Sequence, residues 1–231
     1  MQNQANKRIR WGLLIICMFT LATLFYGCAQ RQEPNRQEIT QKSGWEEGLH
    51  HMMGLVVDRK WEYEGEGNEY ATFTAQVAYA QGNRYQIMEN NGGTILARVI
   101  ELQETGAYEI LTRGEQYEQQ NLLTDPALAQ RSKLEDKKLL PWPLTTQQKW
   151  VLPDGSAAEV ISTTSKHTVP AGTFTNVVHI RIRTIHNNTG ELAPSPVTTV
   201  QDIYYVPGIG LIERRFQQDD TVITSRLRSY S

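Results

Sequence analysis

From about Trp61 onward, apolar and polar side chains alternate with a period of two rather than 3.6. This is the pattern of strands with one buried face. Ala71, Phe73, Ala75, Val77 and Tyr79 fall on one face, with Thr72, Thr74 and Gln76 on the other. Val178, Ile180 and Ile182 alternate with His179, Arg181 and Arg183. Runs rich in β-branched and aromatic residues cover Ile95–Leu102, Tyr108–Arg113, Val160–Val169, Val197–Val206 and Leu211–Phe216. Turn signals separate them at Gln81-Gly82-Asn83, Asn90–Gly93, Pro170-Ala171-Gly172, Asn187–Gly190 and Gln218-Asp219-Asp220. The pattern predicts a mainly β fold: a curved antiparallel sheet, open like a half-barrel, built from hairpins.

One stretch departs from it. Asn121–Leu140 carries Asp125-Pro126 ahead of Ala127 and Leu128, a helix-start signature, and then charges from Arg131 to Lys138. It reads as a solvent-exposed helical or irregular connector between two halves, about 44–120 and 141–231. A weak internal repeat supports the division. Leu55 precedes Trp61 by six residues and Leu144 precedes Trp150 by six, and each tryptophan opens what reads as a turn-rich stretch. Each half then supplies about four or five strands.

The amino terminus is different material. Residues 1–27 hold Lys7, Arg8 and Arg10, no acidic residue, and an apolar stretch from Trp11 to Tyr26. A positive region followed by an apolar one is the order of an export signal. Gly27 and Cys28, with Leu24 upstream, resemble the lipobox of bacterial lipoproteins, departing from it at Phe25 and Tyr26. That resemblance implies cleavage before Cys28 and a diacylglyceryl anchor on its thiol. The alternative is an uncleaved signal anchor, although a full span needs roughly 20 apolar residues and this stretch is shorter. Both place the body outside the cytoplasm, attached to the outer face of the cell membrane. Residues 28–43 are polar and Gln-rich and read as a flexible tether, leaving 44–231 as one extracytoplasmic β domain.

Composition narrows the function classes. The 231 residues are 39% hydrophobic and 21% charged, with a net charge of -2 and a mean hydropathy of -0.48. A soluble body is expected, with no electrostatic drive toward nucleic acid. Cys17 and Cys28 are the two cysteines, too few for a disulfide framework or a Cys-rich metal site.

Motifs in the body add a resemblance. Trp61–Tyr70, Asn91–Thr94, Trp150–Gly155, Val169–Val178 and Tyr204–Ile212 occur in an order that resembles uncharacterised secreted proteins and lipoproteins of Gram-positive, spore-forming bacteria. Some relatives there carry an added cell-surface or copper-amine-oxidase-like domain. The group brings no established activity, so no functional residue is implied. At fold level the pattern is also similar to the curved sheets of envelope lipoprotein carriers. On turn chemistry alone, Val169–Phe174 is a tight reversal, and Pro207-Gly208 with Gly210 breaks a ladder.

Four sets of residues are candidates for chemistry. His50-His51-Met52-Met53 offers imidazole and thioether donors of the kind copper takes, although neighbours on a strand point apart and no second donor cluster is visible. Core or loop positions near the first strand are the plainer account. His179, Arg181 and Arg183 form a basic stripe that suits phosphates, or a solvated strand face neutralised by Asp202 or Glu213. Glu62, Glu64, Glu66 and Glu69 look like paired carboxylates, but the glycines among them suggest an exposed hairpin turn. Trp45, Trp61, Trp142, Trp150, Tyr204 and Tyr205 could line an apolar groove or fill a core. No nucleophile elbow, HExxH or phosphate-binding glycine loop is present, so an enzyme is not expected, nor a cofactor. The expected role is a membrane-anchored binding module for a hydrophobic ligand or an envelope protein. The alternatives are a structural spore- or wall-associated module and, more weakly, copper binding.

Overall fold

A computed structural model describes residues 43–186 and 197–231. The leader 1–27, Cys28, the tether as far as Lys42 and the Asn187–Gly190 turn lie outside the described residues. A helix comes first, α1 (Gly44–Met53), followed by six strands: β1 (Lys60–Glu66), β2 (Phe73–Gln81), β3 (Arg84–Asn90), β4 (Ile95–Gln103), β5 (Gly106–Arg113) and β6 (Lys137–Pro141). Six more complete the domain: β7 (Lys149–Val151), β8 (Ala157–Val169), β9 (Gly172–His186), β10 (Val197–Val206), β11 (Gly210–Gln218) and β12 (Thr221–Tyr230).

All twelve strands form one antiparallel sheet in the order β6-β5-β4-β3-β2-β1-β12-β11-β10-β9-β8-β7. The mainly β, curved-sheet expectation holds. Each half is a meander of six strands, more than the four or five expected, and β1 and β7 occupy equivalent places in the two. The seam is the β1–β12 pair, where Glu64 faces Arg226 and Lys60 and Ser231 exchange backbone hydrogen bonds at 3.1 Å. Among the described residues no strand pairing closes the ladder, and β6 and β7 are its two edges. The sheet is nonetheless strongly curled, because side chains of β3–β6 and β9–β11 border one cavity. Trp150 spans the edges, its Nε1 donating to the Lys138 carbonyl at 3.0 Å.

Three local readings are corrected. Residues 60–66 are strand β1, not a turn: Trp61 and Tyr63 are buried while Glu62 faces out, an alternation short enough to be masked by Gly65 and Gly67. Tyr79 leaves the face of Phe73, Ala75 and Val77 because the β2–β3 register shifts between Val77 and Tyr79. The connector is not wholly exposed. Its 3-10 turns (Leu122–Thr124 and Lys133–Glu135) and the short helix α2 (Ala127–Gln130) bury Leu122, Leu123 and Leu128 against Met88, Ala97 and Val99, and its last residues are β6. The rest matches the exposed reading in large part: Thr124, Pro126, Ala129, Gln130 and Ser132–Glu135 are exposed, Leu134 at 88%.

The main core lies inside the curl and includes Leu55, Ile100, Leu102, Ile180, Ile212 and Leu227. Helix α1 rests on β4, β10 and β11 from both halves and buries Leu49 and Met53, one turn apart. It ends at Gly54, whose φ of 64° is left-handed and whose N–H bonds back to the last turn. A Cβ there would lie 2.3 Å from the Ile209 carbonyl oxygen, so glycine also permits the close approach of the β10–β11 turn. That turn is held by Gly208 N–H donating to His51 O at 2.7 Å, Arg59 Nη1 to Gly208 O at 2.8 Å and Trp61 Nε1 to Ile209 O at 2.7 Å. The Tyr204–Ile212 motif thus serves as a docking corner for the helix.

Candidate functional site

Strand periodicity places Ile87 and Glu89 on the inner face of β3, and Leu96, Arg98 and Ile100 opposite them on β4. A charge therefore falls in phase with apolar residues on two paired strands. Arg98 Nη1 donates to Glu89 at 2.7 Å, and its Nε and Nη2 both engage Glu109 of β5. Across the curl, Arg214 of β11 reaches Glu89 at 3.5 Å while its guanidinium lies over the Phe73 ring, 4.3 Å from the centroid. Burial disfavours the charge on Glu89, but Arg98 and Arg214 outweigh it and hold the carboxyl below its ordinary value. Burial likewise opposes the charge on Arg98, and Glu89 and Glu109 more than restore it.

Two tyrosines complete the set. Tyr63 is fully enclosed, and its hydroxyl donates to Leu211 O at 2.8 Å. Burial, with the nearby Glu89, pushes its pKa well above the usual value. Tyr205 is 6% exposed, and burial pushes its phenol up to about 12. Its hydroxyl has no hydrogen-bond partner among the described residues.

These groups border an inner chamber of about 50 Å³, lined by Trp61, Tyr63, Phe73 and Tyr205, and a mouth of about 220 Å³, with Glu89, Arg98 and Tyr205 common to both. Lys137 and Lys138 line the mouth; Lys137 has no ion-pair partner within 4 Å among the described residues, and the Lys138 ammonium lies over the Tyr108 ring, 5.2 Å from its centroid. The chamber is small, with room for a few waters, each of which needs roughly 10–15 Å³ of such space. With Glu89 held ionised and Tyr205 held protonated, neither exchanges a proton readily near neutral pH.

The aromatic set singled out from sequence disperses. Trp61, 3% exposed, and Tyr205 share the cavity. Tyr204 cannot join its neighbour, because adjacent strand residues point to opposite faces. It is sandwiched between His167 and His179, with ring centroids 4.0 and 4.4 Å away. Trp45 belongs to α1 and packs against the main core, Trp142 packs against α1 where Gly48 leaves room for its indole, and Trp150 sits at the sheet edge. His50–Met53 also diverge, since helix neighbours turn by about 100°. Met53 enters the chamber, His50 lies against Tyr85 and His51 against Gly208. No group of three His, Cys, Asp or Glu side chains suited to a metal occurs among the described residues.

The basic stripe is neutralised. Asp202 accepts from His179 at 2.7 Å and from Arg181 at 2.8 and 3.2 Å, and Glu159 lies 3.8 Å from Arg183. Glu213 pairs with His167 at 2.8 Å. Glu62, Glu64 and Glu66 line one side of β1, where Arg226 reaches Glu66 at 2.5 Å and Ser229 reaches Glu62 at 2.7 Å, while Glu69 is in the following turn. No helix among the described residues is long and apolar enough to cross a membrane. Sequence reading missed Glu89, Arg98, Glu109 and Arg214. The available signal was a charge at an inward position, as in Leu96-x-Arg98-x-Ile100.

No family model and no curated protein matches this chain. Two solved structures are similar to it in part. One is a candidate exported protein with a YmcC-like fold from Bacteroides fragilis NCTC 9343, 9% identical, with a TM-score of 0.41 over 78% of this chain and 99% of that one. The other is a candidate lipoprotein from Parabacteroides distasonis ATCC 8503, 12% identical, with a TM-score of 0.43 over the same shares. Neither organism is a Gram-positive spore former, so the resemblance of the motifs to that group gains no support from them.

Proposed function

We propose that this chain is an exported lipoprotein, anchored to the outer face of the cell membrane through a diacylglyceryl group on Cys28, whose β domain is a non-catalytic binding module. The observation that supports binding is the cavity inside the curl, where polar groups from both halves converge at an open mouth. Its size argues for a small ligand, or one side chain of an envelope partner, and against carriage of a whole lipid. A structural module without a ligand is the other reading, favoured by the tight packing around Trp61.

Anchoring is tested by Cys28→Ser. The variant should lose fatty-acid labelling and membrane retention; unaltered retention would point to an uncleaved leader. Binding is tested by mass spectrometry of small molecules that co-purify with the native protein. A reproducible stoichiometric compound supports the binding module, and its consistent absence supports the structural one.

A further inference from the structure

On the reading of the cavity as a binding site, the geometry points to its ligand class: a small organic carboxylate, its anionic head among Arg214, Tyr205 and Lys137 and its short apolar tail toward Trp61 and Phe73. Three independent features carry this. The Tyr205 hydroxyl borders both chamber and mouth and makes no hydrogen bond among the described residues, while remaining open to solvent. A hydroxyl that faces a cavity with no protein partner is satisfied by water, which a ligand oxygen can displace.

Arg214 has donors to spare. Its one ion pair, at 3.5 Å to Glu89, leaves guanidinium N–H groups unengaged, and its stacking on Phe73 fixes the plane of the fork. A planar, oriented guanidinium suits the two oxygens of a carboxylate. Arg98, by contrast, is committed to Glu89 and Glu109 and serves to hold the wall.

Charge balance gives the sign. The mouth gathers Arg98, Arg214 and Lys137 against Glu89 and Glu109, a cationic excess of one in a partly enclosed space, while the Lys138 ammonium is turned away over the Tyr108 ring. The inner chamber is aromatic and holds only a few heavy atoms, which sets a short tail.

Isothermal titration calorimetry of the full-length chain in detergent, with sodium butyrate, butyramide and butylammonium chloride, tests this. Butyrate should bind with a dissociation constant in about the millimolar range, reasonable for so few atoms. Butyramide and butylammonium should be at least about tenfold weaker. Tyr205→Phe, which removes one oxygen and preserves the ring, should weaken butyrate about tenfold, and Arg214→Gln by more. Preferred binding of butyramide or butylammonium would overturn the carboxylate assignment while leaving a binding cavity. So would undiminished butyrate affinity in both variants. Silence with all three probes would also overturn the carboxylate assignment, and the binding reading itself would still be decided by whether a native compound co-purifies.

Discussion

Asp202 shows how much one carboxylate settles on the outer face. Burial opposes its charge, but hydrogen bonds from His179 and Arg181 outweigh this and lower its pKa to about 2. An unfolded aspartate titrates near ~3.9. The stabilisation is therefore complete above about pH 4 and is lost as pH falls toward 2. Asp202→Asn should flatten the dependence of Tm on pH across that window and lower Tm at neutral pH. Equal slopes for the two proteins would show that the triad adds no acid-sensitive stability. This pairing was readable in part beforehand, because His179 and Arg181 stand on a regularly alternating run and Asp202 was one of two carboxylates on neighbouring runs that could neutralise them. The interior quartet was not. Inward charges on β3 and β4 look like errors in an apolar pattern until the partner strands are known, and Arg214 reaches Glu89 across the curl.

The connector illustrates the same limit for elements. Gln86 is fully buried on β3, its amide donating to Gln120 O at 2.8 Å and its carbonyl accepting from Leu122 N–H at 2.7 Å. One side chain thus satisfies two backbone groups of a segment that has almost no regular structure of its own. Arg131 adds a second tie through Asp136 and Glu101. Leu128→Ala should cost ~2–4 kcal/mol in urea unfolding, the usual range for a buried leucine. A cost below ~1 kcal/mol would mean that the connector is dispensable to the fold. Its charges dominate its composition, so sequence reading took it for surface. The three leucines that bury it are too few to make a period. The short β1, β6 and β7 escaped notice for a related reason, since three to seven residues hardly establish alternation.

For the whole molecule, the weak repeat around Trp61 and Trp150 proved informative about order: two meanders laid side by side in the same sense give one sheet with its free edges at β6 and β7. Curling brings those edges near each other, and Trp150 is the hydrogen-bonded link between them. Trp150→Phe keeps most of the ring and loses the N–H. It should accelerate amide exchange in β6 and β7, measured by mass spectrometry, at a global cost of ~1 kcal/mol. Unchanged exchange there would assign the closure to packing alone. The pattern of turns gave the hairpins, but nothing in a single sequence marks which strand joins the halves.

That joint has a consequence for how the domain comes into being. β1 is made early and β12 last, yet they are neighbours at the centre of the sheet. A growing chain therefore carries β1 paired with β2 on one side only, and covers its other edge only once the ten residues of β12 are available. Proteolytic nicking ahead of Thr221 would not trim a margin. It would split the molecule down its middle and leave two ribbons, each with a new raw border prone to self-association.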